Sequence, residues 1–90
     1  DHPNLGWALI SLADVYAAQG RFAEAELLAR RNLAIWEKAL GPEHRDVGTT
    51  LNTLALLYQA QGRFAEAEPP FRRSLTIREK AIAAWPPKLQ

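Results

Sequence analysis

An all-α fold is predicted for this chain, with four antiparallel helices paired into two stacked hairpins and a short C-terminal tail. Three observations predict it. The 90 residues repeat with a period of 42, so that His2 falls on His44, Tyr16 on Tyr58 and Gln19–Glu26 on Gln61–Glu68. Of the 39 pairs aligned by that shift, 22 are identical, where chance would supply only a few. Apolar residues recur at helical spacing, and β-branched residues are scattered without the alternation of a strand. Glycines fall where a helix must stop.

The first helix is predicted over about residues 4–19, where Leu9, Leu12, Ala13 and Tyr16 share a face. Gly20 sits at the position a helix C-terminus reserves for a residue without a Cβ. The second helix runs from about 22 to 40, with Glu24 and Glu26 near its positive end and Arg30, Arg31 and Lys38 toward its negative end. Glu26 and Arg30 form an i,i+4 pair in the favourable order. Gly41-Pro42 closes this hairpin, and Asp46 is the expected N-cap of the third helix, about 46–61. Gly62 repeats the role of Gly20, and the fourth helix follows over about 64–84. Pro69 and Pro70 lie inside it, where their missing N–H groups predict a lost backbone bond or two.

Composition narrows the chemistry. Eleven Lys and Arg against ten Asp and Glu give a net charge of +1, without the cationic excess a nucleic-acid partner requires. Cysteine is absent, which removes disulfides, thiolate metal sites and cysteine nucleophiles. No apolar run approaches the roughly 20 residues of a membrane span, so no membrane partner is expected and a cytoplasmic setting is. The two histidines, His2 and His44, are repeat equivalents in connecting segments, one whole repeat apart. A role in the loops accounts for them better than a metal centre, and neither a metal nor a cofactor is expected. Ser11 and Ser74 sit in no nucleophile turn, and no glycine-rich phosphate loop is present. An enzyme is not expected.

The segment Gly41-Pro42-Glu43-His44-Arg45-Asp46-Val47, with Leu54-Ala55-Leu56-Leu57-Tyr58-Gln59-Ala60-Gln61-Gly62-Arg63-Phe64 after it, resembles the tetratricopeptide repeat. The resemblance is to the longer form found in kinesin light chains. It covers about residues 2–82 and implies an α-solenoid segment. Residues 1–42 would be the first repeat, 43–84 the second and 85–90 the tail. The ordinary repeat has about 34 residues, so the 42-residue unit implies a second helix longer by about two turns. Small residues at Ala13 with Ala25, and at Ala55 with Ala67, would let paired helices approach, while Leu12, Tyr16 and Leu33 would fill the space around them. Asn32 and Ser74 depart from the pattern, which has alanine there.

By the same resemblance, the first helix of each hairpin lines a concave face that binds a peptide segment of a protein partner. That face would present Trp7, Ile10, Ser11, Asp14, Ala17 and Ala18, then Thr49, Asn52, Thr53, Leu56, Gln59 and Ala60. No Lys or Arg lies on it, and Asn52 can both donate to and accept from an extended backbone. The Arg30-Arg31 and Arg72-Arg73 pairs read as a solvated outer face. The alternative role is a structural spacer or a dimerisation segment of a larger repeat protein. Arrays of this kind need about three units for stability, so the N-terminal surface around Leu5, Trp7 and Leu9 is expected to be covered by another chain. Trp85 would fold over the last hairpin as a cap.

Overall fold

The computed structural model describes the backbone of residues 2–83, and side-chain surroundings from residue 6 onward. Four helices follow one another: α1 (His2–Ala18), α2 (Phe22–Leu40), α3 (Arg45–Ala60) and α4 (Phe64–Ala83). No strand occurs among the described residues. Contacts join α1 to α2, α2 to α3 and α3 to α4, which is the chain order of two hairpins stacked side by side. The predicted tail, with Trp85, lies outside the described residues.

Two identical devices turn the chain within each hairpin. Gly20 and Gly62 take φ of 77° and 75°, in the left-handed region where a Cβ is costly. The N–H of Arg21 reaches back to the Tyr16 carbonyl at 2.8 Å and that of Gly20 to Ala17 at 3.0 Å. Arg63 to Tyr58 (2.9 Å) and Gly62 to Gln59 (2.9 Å) repeat the pattern. These paired bonds satisfy carbonyls the helix would otherwise leave open.

The start of α3 differs from expectation. The helix begins at Arg45, and the cap is His44, whose Nδ1 accepts the Asp46 N–H at 3.1 Å. An imidazole nitrogen here does the work usually done by a carboxylate or hydroxyl oxygen. Asp46, two residues past the cap, lies in the first turn, where its charge suits the positive helix end. α4 runs unbroken through Pro69 and Pro70. Neither proline can donate to the Ala65 and Glu66 carbonyls one turn earlier, and all four residues border an open cavity with Arg30 and Arg73.

The core has two centres. In one, Ala13 and Ala25 of the first hairpin meet Ala55 and Ala67 of the second, with Leu54, Leu57 and Tyr58 packed among them. All four alanines are buried, as small residues between packed helices should be. In the other, Trp36 is enclosed by Val47, Leu51 and Ile77. The Trp7 ring stands edge-on to Trp36, with centroids 5.5 Å apart and planes at 67°, a favoured aromatic geometry. The chain has no Cβ at Gly6 for a reason visible here: one would lie 2.5 Å from the Trp36 ring.

Asn32 and Ser74, the departures from the repeat pattern, are buried and fully bonded. Asn32 Nδ2 donates to the Gly6 carbonyl, and Ser74 Oγ donates to the equivalent Gly48 carbonyl at 3.0 Å. Asn32 has a second arm, its Oδ1, which accepts from the Thr50 hydroxyl in the next hairpin. Buried polar groups are tolerated when paired in this way.

Candidate functional site

Where α1 and α3 lie side by side, a groove of about 430 Å³ opens between the hairpins. Asp14, Ala17 and Ala18 form one wall, Thr53, Leu56 and Ala60 the other, with Phe22 and Leu57 at the join. No lysine or arginine lines it. Its floor is apolar, and Leu56 stands 49% exposed in it. The Thr53 hydroxyl is turned back to the Thr49 carbonyl at 3.2 Å, so the groove offers more apolar surface than free hydrogen-bonding groups. Asp14 brings its only carboxylate among the described residues.

Of the residues expected on the concave face, Asp14, Thr53 and Leu56 meet in this groove together with Ala17, Ala18 and Ala60. Ser11 is exposed and Asn52 half-buried on the same two helices, and the Asn52 amide has no hydrogen-bond partner among the described residues. Two expectations need correction. Ile10 is buried, because its side chain turns into the core rather than to the groove. Gln59 borders a separate cavity with Phe64, Phe71 and Leu75 on the outer side of the second hairpin. Phe22 and Leu57 were not foreseen in the groove. Their signal is positional: one opens the second helix and the other lies one residue past the exposed Leu56, where the hairpins abut.

On the expected self-association surface Trp7 is exposed, and apolar exposure continues further along α1. Trp7 packs against Trp36, and Leu9 is half-buried. The Leu5 side chain lies outside the described residues. The exposed large apolar side chains of α1 are Trp7 (48%), Leu12 (42%) and Val15 (50%); the equivalents of the last two, Leu54 (5%) and Leu57 (4%), are covered by the neighbouring hairpin. Leu12 therefore does not fill its own hairpin. It serves a junction that the first hairpin has no neighbour to complete among the described residues.

Of the paired arginines, Arg30, Arg31 and Arg72 are exposed, as a solvated face requires, while Arg73 is partly buried. Glu26 on α2 accepts from Arg30 Nε at 3.0 Å, from Arg63 of the second hairpin at 2.9 Å and from the Tyr58 hydroxyl at 3.2 Å. Arg30 donates to the same hydroxyl, and the Arg63 guanidinium stacks 4.5 Å above the Tyr58 ring. Arg73 reaches across to Glu37 and to the Pro42 carbonyl. Partial burial pushes the Glu26 carboxyl up, but hydrogen bonds from Arg30 and Arg63 outweigh it and hold the group below the ordinary 4.5. Burial, with the Glu26 charge beside it, pushes Tyr58 up. A depressed carboxyl adds stability above its unfolded value, and that stability is lost as pH falls through the folded one. Acidification below about pH 4.5 should therefore lower the urea midpoint of the wild type more steeply than that of Glu26→Gln. Parallel losses in the two proteins would show that this cluster does not carry the effect.

Family comparison agrees with this geometry. The family profile for the tetratricopeptide repeat matches residues 5–80. The chain is a member of the tetratricopeptide repeat family. Tetratricopeptide repeats are protein–protein interaction modules and a non-catalytic scaffold family. No curated protein sequence matches this tetratricopeptide repeat chain significantly. Among its described residues, no helix is long and apolar enough to cross a membrane, and no group of three His, Asp or Glu side chains gathers as a metal would require.

Proposed function

We propose that this chain binds an extended peptide segment of a protein partner along the groove between α1 and α3, and that it has no catalytic role. The observation that carries the reading is the exposed Leu56 in an apolar groove that spans both hairpins. Burial of such a side chain supplies the energy, while the half-buried Asn52 amide, one turn earlier on α3, supplies direction through backbone hydrogen bonds. The 42-residue period and the Gly41-Pro42-Glu43-His44 linker support a place in the kinesin-light-chain-like branch of the family.

A selection from a library of unstructured peptides tests the groove. Binders should lose about tenfold in affinity on Leu56→Ser, since about 1.4 kcal/mol of apolar contact is at stake. Their affinity should depend weakly on salt, because no cationic side chain lines the groove. Binders indifferent to Leu56→Ser, or steeply salt-dependent ones, would overturn the reading, as would a selection that returns none.

A further inference from the structure

The junction between the two hairpins is a template for a contact that the chain repeats nowhere else among its described residues. Across that junction, acidic residues of the first hairpin meet basic residues of the second: Glu26 with Arg63 and Glu37 with Arg73. The repeat places the same residues on the two outer faces. Glu68 and Glu79 of α4 correspond to Glu26 and Glu37, and Arg21 and Arg31 correspond to Arg63 and Arg73. Arg31 and Glu79 have no ion pair among the described residues. Arg21 and Glu68 keep only the local pairs, with Glu24 and Arg72, that Arg63 and Glu26 also keep inside the junction.

The apolar parts match in the same way. At the junction, Leu54, Leu57 and Tyr58 are buried in the core shared with Phe22 and Ala29 of the first hairpin. On the outer face of the second hairpin a cavity of about 500 Å³ is bordered by Phe64, Phe71 and Leu75, with Glu68 and Arg72 at its edge. Phe64 and Leu75 are more than half exposed there. On the opposite face, Leu12 and Val15 are exposed beside Tyr16, over which Arg21 stacks at 4.3 Å.

We propose that the chain stacks head to tail on a second copy of itself, with Glu68 and Glu79 of one copy meeting Arg21 and Arg31 of the next around an apolar centre. The occupant is a second copy because both halves of the contact are on this chain and their assembled form is already present between its hairpins. The contact joins two different faces, so it leaves both ends of a dimer open for further addition. This goes beyond the groove reading and does not rest on it.

Sedimentation of the 90-residue chain from about 10 μM to about 1 mM, a range that spans weak dissociation constants, tests it. The average mass should rise with concentration past that of a dimer, and less so at high salt. Glu79→Arg and Arg31→Glu touch groups with no local pair among the described residues, so each should leave the circular dichroism unchanged. Each alone places like charges in contact and should weaken association at least about tenfold. An equimolar mixture of the two restores opposite charges at every junction and should associate again. The pair Glu68→Arg and Arg21→Glu should behave alike. A chain that stays monomeric at the highest concentration, that stops at a dimer, or whose single variants associate as the wild type does, overturns the proposal. So does a mixture that fails to recover.

Discussion

Trp36→Ala is expected to cost about 3–5 kcal/mol, the range for truncating a large buried aromatic ring. Trp36 is 1% exposed and bridges the hairpins, with Val47, Leu51 and Ile77 around it and Trp7 at its edge. A small domain has only about 5–15 kcal/mol in total, so a loss of this size should leave a substantial unfolded fraction. The repeat equivalent, Arg78, is exposed, and Arg78→Ala should change stability by no more than about 0.5 kcal/mol. Urea denaturation followed by far-ultraviolet circular dichroism measures both. A Trp36→Ala loss below about 1 kcal/mol, or equal losses at the two positions, would show that this ring does not hold the junction.

Gly6→Ala should destabilise the chain even though the exchange normally favours a helix by about 1 kcal/mol. The new methyl would lie 2.5 Å from one atom of the Trp36 ring and 2.6 Å from the next. That ring is boxed in on its other sides, so it cannot step back, and overpacking of this kind costs about 1–3 kcal/mol or more. Gly48 is the control. Its added Cβ would meet an Ile77 methyl at 3.2 Å, a contact that a few tenths of an ångström relieves, so Gly48→Ala should come out near neutral. In a Trp36→Ala background the Gly6→Ala change should turn stabilising, because the cavity accepts the methyl, and this sign reversal is the coupling to look for. If Gly6→Ala stabilises the wild type, the close approach is not a constraint on folding.

The helices and their pairing were legible because they depend on features within a single hairpin. The 42-residue period, the apolar spacing and the glycines at 20 and 62 each act locally, and small residues at Ala13, Ala25, Ala55 and Ala67 announce close approach. The parts that escaped depend on rotation about a helix axis or on a partner far along the chain. Ile10 and Asn52 are repeat equivalents, yet one is buried and the other half-open, and no pattern within one repeat distinguishes them. Leu12 and Leu54 share a position and differ in exposure because, among the described residues, only Leu54 has a hairpin on its outer side. Arg73 looked solvated because its cross-hairpin acceptor, Glu37, stands 36 residues away. The His44 cap escaped for a different reason: an imidazole is rarely the first choice where an aspartate stands two residues on.

The second arm of Asn32 makes the two hairpins non-commutative. Exchange their order, and Ser74, whose single hydroxyl is committed to Gly48, would face Ala8 where Asn32 faces Thr50, with Arg78 in the seat of Trp36. The same mismatch would recur wherever one chain abuts another, whatever charges line up around it. A filament of such chains would be a string of permanent couplings alternating with provisional ones. It would break between molecules and never within them.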